Sequence, residues 1–477
     1  MISLLLILVP LISGVLLFLL KDEKAAKNFS VVSSLATLAI AVYASTAAQV
    51  NTLNFDAAWL PTLGSRFSIS LDGMGKMLTL LTAVSFPLVL VATYKNTYKN
   101  AAAFYGLMLL TQAGLMGVFI ATDALLFYFF WELALIPVYF LSSIWGGEKR
   151  IAVTFKFFIY TFIGSLLMLA GILYVYFKSP DQSFAIKALY NAHLAGSEQN
   201  ILFWLFFIAF AIKMPVFPFH TWQPDAYEQA PTAVTMILSG VMVKMGIFAV
   251  VRWLIPLFPQ AATNYASVVI VLAIIGMIYA SLIAIKQNDI KRLIAYSSIA
   301  HIGLMCAAIF AHNKTGLEGV MIQMFNHGIN VIGLWIVADT IEQQLGTRKF
   351  SELGGLAQKA PSLAILLVVL ALANIALPLT NAFVGEFLMF NGLFQYNIWM
   401  AAIAGISIIL AAIYTLNMIQ KVFYGNAAAV TSQATEASPN VRWMLIVLVI
   451  AVLILGVYPQ PMIELTKDTI NAVMANR

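Results

Sequence analysis

The sequence predicts an all-α polytopic membrane protein, and three observations predict it. Of its 477 residues, 62% are hydrophobic and 10% are charged, whereas a soluble domain carries about 25% charge. Apolar runs long enough to cross a bilayer recur from end to end. Four ionisable residues, Glu132, Lys213, Lys244 and Glu386, sit inside such runs. Each would cost about 2.5–3.5 kcal/mol at a bilayer centre even on the mildest insertion scale. Four charges of mixed sign point to a path for charge through the membrane.

Fourteen spans are expected, at residues 2–20, 29–48, 73–94, 101–121, 123–144, 152–177, 201–221, 230–255, 264–285, 290–311, 316–343, 361–395, 399–423 and 441–459. At about 1.5 Å per residue, most match a hydrocarbon core of about 30 Å. The first run, ISLLLILVPLISGVLLFLL, has no basic flank and no small-residue cleavage site. It reads as a retained helix rather than a signal peptide. Residues 49–72 follow the second span, and their second half, RFSISLDG, alternates like a strand, so an external hairpin is expected. The seventh span is interrupted at KMPVFPFH, where Pro215 and Pro218 follow Lys213. The twelfth is too long for one straight helix, and Pro378 in its centre, ALPLTNAFVG, removes a helix hydrogen bond. Segment 426–440, NAAAVTSQATEASPN, is small and polar and reads as a flexible cytoplasmic loop.

The two interrupted spans lie five spans apart. Consecutive units of five spans must run in opposite senses, the arrangement of inverted repeats with a broken helix in each. The chain then divides into residues 1–100 (three helices and the hairpin), 101–255 (first repeat), 264–424 (second repeat) and 425–477 (loop, last helix and C-terminal tail). Lysines and arginines number fifteen on one set of alternate loops and eight on the other, the eighth being Arg477. The positive-inside rule puts the richer side in the cytoplasm and both termini outside. Lys156, near the cytoplasmic end of span six, reads as a snorkelling side chain.

Composition also excludes functions. No basic cluster is interleaved with aromatics, so nucleic-acid binding has no support. The single cysteine, Cys306, excludes an internal disulfide and an all-cysteine iron–sulfur site. No glycine-rich nucleotide fingerprint occurs, and the histidine spacing matches no metal motif. Neither a cofactor nor a metal is therefore expected in this chain.

Each buried ionisable group has a functional and a structural reading. Glu132 lies mid-way along span five between Trp131 and Pro137; it suits proton handling or a polar lock between helices. Lys213 sits where span seven breaks. Burial without a partner favours neutral lysine, and a nearby carboxylate favours the charged form, so Glu132 is its natural partner. The alternative is a static ion pair that fixes packing. Lys244 is too central in span eight to snorkel. Glu386 follows the break in span twelve, in the half nearer the outside, and could pass a proton outward or accept hydrogen bonds from the broken helix. His220, His301 and His327 lie in or near spans; histidine relays protons through either ring nitrogen but is as often a structural hydrogen bonder. Asp123, Asp339 and Glu342, near span ends, read as solvated charges. The turn HTWQPDAYEQAPTA fits helix capping by Pro224, Asp225 and Pro231, or the floor of a cytoplasmic proton inlet. Asp289 in KQNDIKRLIAYSSIAHIG reads as a helix cap, followed by a Ser297–Ser298–His301 polar face.

At these residues the chain resembles a known family. WELALIPVYFL, AIKMPVFPFHTWQPDAYEQAPTA, NDIKRLIAYSSIAHIG, QMFNHGINVIGLW and NAFVGEFLMFNGLF look like the antiporter-like subunits of respiratory complex I. The likeness covers nearly the whole chain and is strongest from 123 to 395. Glu386 points to the M-type branch, because L-type and N-type chains, and many related antiporter chains, usually carry lysine there. The resemblance implies two inverted five-span repeats and proton translocation in a bacterial inner membrane. It implies that Glu132 modulates Lys213, that Lys244 connects the halves and that Glu386 serves the outward exit, with His220, His301 and His327 on the axis between. It further implies that flavin, iron–sulfur clusters and the quinone site belong to other subunits, and that L-type and N-type chains and lipids flank this one. Two rivals stand beside this reading: a cation/proton antiporter chain of a multi-subunit exchanger, and a scaffold whose buried charges only set assembly.

Overall fold

The computed structural model describes residues 1–46 and 49–475. Arg477 and the last two residues of the expected second span, 47 and 48, lie outside the described residues. The chain is a bundle of long helices with one small hairpin. In order the elements are α1 (Ile2–Leu17), α2 (Glu23–Thr46), β1 (Asn54–Leu60), β2 (Ser65–Ser70), α3 (Gly73–Ala92), α4 (Ala101–Ile120), α5 (Ala124–Trp145), α6 (Arg150–Lys178), α7 (Ile186–Tyr190), α8 (Gly196–Lys213) and α9 (Gln223–Gln229). The eighth expected span forms α10 (Thr232–Leu257). There follow α11 (Pro259–Lys286), α12 (Ile290–Phe310), α13 (Lys314–Leu345), α14 (Pro361–Asn374), α15 (Asn381–Tyr396), α16 (Ile398–Phe423), α17 (Pro439–Val457) and α18 (Gln460–Ala475).

Eleven of these helices are long and apolar enough to cross a membrane. The other three expected spans fall on α1, on α8 and on the pair α14–α15, which fits the reading of fourteen. Helix starts are set by side chains that accept the first free backbone N–H groups. Asp72, Asp123, Asp289, Asn313 and Asn397 cap α3, α5, α12, α13 and α16. The cap expected at Asp289 is thus present. The expected hairpin also forms, antiparallel, with Asn54 opposite Ser70 and Phe55 opposite Ile69.

Both expected breaks occur. Helix α8 ends at Lys213, the chain turns through 214–222, and Pro224 opens α9. In the twelfth span α14 stops at Asn374, and Ala376 and Leu379 take positive φ values of 56° and 72° before α15 begins. A third irregularity was not legible. Helix α10 contains two π-helical turns, Leu238–Met242 and Val250–Leu254, on either side of the segment that starts at Lys244. No proline marks the first of them, so the break rule had nothing to read there.

The centre of the bundle is α10 and α13, whose most apolar stretches are wholly buried, whereas only 22% of the corresponding stretch of α17 is buried. These two helices meet at glycine. A Cβ on Gly328 would lie 2.7 Å from the Gly240 carbonyl oxygen, closer than any real Cβ approaches. A side chain there would force them apart.

One expectation needs correction, and the C-terminal tail takes a structure that the sequence reading does not assign. Segment 426–440 is docked rather than free: the Glu436 carboxylate accepts from the Ser362 amide at 2.8 Å, Asn440 donates to the Val91 carbonyl at 2.9 Å, and Thr431 is buried. Its few polar side chains satisfy backbone groups at helix ends, which composition does not reveal. The C-terminal tail is the amphipathic helix α18, which buries Met462, Thr466, Ile470 and Val473 at helical spacing. Its Thr469 hydroxyl donates to Asp72 Oδ2 at 3.2 Å.

Candidate functional site: a buried polar axis

The buried ionisable groups converge at the centre of the bundle. Lys244 is 0% exposed. Its Nζ donates to the Ser239 carbonyl oxygen, in the first π-helical turn, at 2.8 Å. The same Nζ lies 2.8 Å from His327 Nδ1 on α13. The His327 ring stands 5.6 Å, centroid to centroid, from the His301 ring on α12. His301 Nδ1 is 2.9 Å from Glu386 Oε1 on α15, and Gln323 Nε2 donates to the same oxygen at 3.3 Å. Four groups from four helices thus form one chain, Lys244–His327–His301–Glu386. Its one inner link joins the two imidazoles, whose Nε2 atoms have no hydrogen-bond partner among the described residues.

Lys213 and Glu132 stand apart from this chain. Lys213 is 2% exposed, and its Nζ has no hydrogen-bond partner among the described residues. Instead it lies 5.5 Å above the Trp131 ring. Glu132 is only half-buried, and its Oε1 is likewise without a partner. The expected Glu132–Lys213 contact is therefore not a hydrogen-bonded ion pair. Adjacent helical residues point about 100° apart, so the turn of α5 that aims Trp131 at Lys213 carries Glu132 toward the periphery. His220 is buried in the turn after α8, packed 5.4 Å from the Tyr279 ring, with Nδ1 unpartnered. Hydrogen bonds do not connect it to the chain.

The cytoplasm-assigned end carries an ion-pair network. Arg348 binds Glu228 at 2.9 Å, Asp289 at 2.5 Å and Glu342 at 2.9 Å. Arg292 binds Asp225 at 3.2 Å and Glu228 at 2.7 Å, and Lys291 binds Glu342 at 2.5 Å. Lys156, expected to snorkel, reaches Asp225 at 2.9 Å. The turn HTWQPDAYEQAPTA thus supplies Asp225 and Glu228 as anchors as well as capping residues. Asp123 and Asp339, read as solvated, are 1% and 6% exposed. Asp123 accepts from the Ser65 hydroxyl and the Arg66, Leu125 and Leu126 amides, so four donors satisfy the buried carboxylate.

Some site residues were passed over. Gln323, Asn326, His327 and Asn330 recur along α13 at spacings of three and four, a polar stripe on one face of an apolar helix. Only the histidine was taken from it, although Gln323 reaches Glu386 and Asn326 donates to the Asn381 carbonyl at the helix break at 2.7 Å. The Ser297 hydroxyl accepts from Tyr414 at 2.9 Å and from Asn374 at 3.2 Å, joining the polar face of α12 to α16 and to the end of α14.

Known proteins share this sequence pattern and this fold. The model of the family described as NADH:quinone oxidoreductase/Mrp antiporter, transmembrane, matches residues 121–413, which include every residue of the axis. NADH-quinone oxidoreductase subunit M of Rickettsia typhi is 37% identical over 440 residues, 88% of this chain and 87% of the relative. Subunit M of Escherichia coli K12 is 34% identical over 430 residues, 88% of this chain and 84% of the relative. A chain in the structure of respiratory complex I from Thermus thermophilus with bound NADH superposes with a TM-score of 0.91 at 29% identity, over 100% of this chain and 99% of that one. A chain of the Mrp complex from Dietzia has the same fold, with a TM-score of 0.86 at 22% identity over 99% of both chains. The chain belongs to the NADH:quinone oxidoreductase/Mrp antiporter transmembrane family.

Proposed function

We propose that this chain is a proton-translocating membrane-arm subunit of an NADH-quinone oxidoreductase of the complex I type. The observation that carries the reading is the row Lys244–His327–His301–Glu386, hydrogen-bonded at both ends with the two imidazole rings 5.6 Å apart between them. Lysine, histidine and glutamate each have a protonated and a deprotonated form, so a proton can rest at every station. The 2.8 Å and 2.9 Å links suit direct transfer. The 5.6 Å step between the imidazole rings suits transfer through one bridging water.

In this reading Lys213 holds a proton beside the break in α8, Glu132 biases it through space, and Glu386 releases it toward the outer side. His220 serves near the cytoplasmic inlet. In the same reading, flavin, iron–sulfur clusters and the quinone site belong to other subunits, whose redox chemistry drives this chain. L-type and N-type chains and lipids flank it in a bacterial inner membrane, and both termini face outward. The relatives at 34–37% identity support complex I over a separate exchanger.

The test uses inverted membrane vesicles containing the assembled complex. NADH oxidation should acidify the lumen at the same rate with or without sodium. Sodium or potassium exchange without NADH oxidation would favour the antiporter reading instead.

A further inference from the structure

We propose that Asp339 is the residue through which protons from the cytoplasm-assigned side are loaded toward Lys244. The proposal rests on the function above, and it names an inlet that the axis itself does not include. A cavity of about 310 Å³ opens at that end of the bundle, and Asp339, Lys291 and Thr232 line it. The volume accommodates about ten water molecules. Asp339, Lys291 and Thr232 are all more than nine-tenths buried. Asn96 donates to Asp339 Oδ2 at 3.2 Å, while Oδ1 has no hydrogen-bond partner among the described residues. The charged and titratable groups that face the carboxylate are Lys291, Glu342 and Tyr98. Lys291 Nζ is itself held by Glu342 at 2.5 Å and donates to the Thr232 hydroxyl at 3.0 Å.

The register of two helices then sets a direction. Thr232 opens α10 and lies beside Asp339, near the end of α13. Lys244 lies twelve residues further along α10, and His327 lies twelve residues before Asp339 on α13. Twelve residues rise about 18 Å. The two helices are antiparallel, so they meet at both ends of the same segment: Asp339 with Thr232 at one, His327 with Lys244 at the other. Hydroxyls mark the interval. Thr235 donates to the Tyr227 carbonyl at 3.1 Å, Ser239 donates to the Thr235 carbonyl at 2.8 Å, and the Ser239 carbonyl accepts from Lys244. The first π-helical turn lies at Ser239, and such turns occur often at functional sites. A proton arriving from the cytoplasm-assigned side through the cavity water would bind the Asp339 carboxylate and pass, through water between these hydroxyls, to a Lys244 amine that has already given its own proton to the axis. The carboxylate would be regenerated and the ammonium formed.

The experiment measures NADH-driven proton pumping by the assembled complex in inverted vesicles. Asp339→Asn should lower it about tenfold or more, as loss of a positioned proton-transfer group does. Asp339→Glu should keep most of it, and millimolar formate, a diffusible carboxylate, should restore the Asn variant. Thr232→Val, which keeps shape but loses the hydroxyl, should slow pumping without loss of assembly. Full pumping by Asp339→Asn alongside a defective Lys244→Met complex would overturn the inlet and leave the axis standing. Full pumping by Lys244→Met would overturn both. A defect in Asp339→Asn that neither formate nor glutamate relieves would mean a structural role and would also overturn the proposal.

Discussion

Replacing Lys213 by methionine separates function from stability at one residue. Methionine keeps the length of the side chain and removes its charge. No hydrogen bond is lost, because Lys213 Nζ has none among the described residues. What is lost is the contact with Trp131 at 5.5 Å, worth about 2 kcal/mol when desolvated. A thioether against the same ring returns about 1 kcal/mol. Against that small loss stands the removal of a lone buried charge, whose desolvation costs several kcal/mol. The variant complex should therefore assemble fully and unfold at the same temperature as the parent or higher. Proton pumping per NADH oxidised should nevertheless fall, because no group at the α8 break then holds a proton. Native gels and detergent thermal melts report assembly, and quenching of a pH-sensitive dye reports pumping. Parental pumping in a fully assembled Lys213→Met complex would refute the role of Lys213. A complex that fails to assemble would refute the claim that its charge is unpaired.

Three other substitutions probe the axis and its frame. His301→Leu removes the partner at 2.9 Å from Glu386 and leaves it Gln323 alone; loss of a hydrogen bond to a charged group costs about 1.5–3 kcal/mol. Pumping should fall about tenfold, while NADH oxidation by an artificial acceptor at the peripheral redox sites should not change. Gly328→Ala puts a Cβ 2.7 Å from the Gly240 carbonyl, an overpacking cost of about 1–3 kcal/mol; it should lengthen the Lys244–His327 contact and slow pumping, and cryo-microscopy of the variant would show the separation. Arg348→Ala leaves Glu228, Asp289 and Glu342 without one cation and should destabilise the cytoplasm-assigned end by about 3 kcal/mol. Hydrogen exchange should rise there and remain unchanged at the hairpin.

Much of this was legible because a membrane interior makes polarity expensive. Lys244, His301, His327 and Glu386 stood out as single polar letters in apolar runs, and the bundle brings those four together. Pro215 and Pro378 announced the two broken helices for the same reason: a missing N–H cannot be ignored in an apolar medium. Sequence reasoning did less well where rotation about a helix axis decides. Glu132 and Lys213 were natural partners by charge, yet Trp131 is the residue of α5 that meets Lys213. Charge near a span end was read as solvated, but Asp123 and Asp339 are buried because other chain segments fold over them. The first π-helical turn of α10 left no mark, since Ser239 and Gly240 are ordinary in a tightly packed helix. Gln323 left a mark, as part of the polar stripe of α13, but its partner on α15 lies 63 residues away in sequence.

The central claim is that Lys244, His327, His301 and Glu386 carry protons as one connected chain. The most direct measurement is the number of protons moved per NADH oxidised by purified complex in proteoliposomes, parent against Lys244→Met. The chain predicts a lower ratio, or coupled turnover stalled altogether, in a complex of normal composition. An unchanged ratio at an unchanged rate would contradict it.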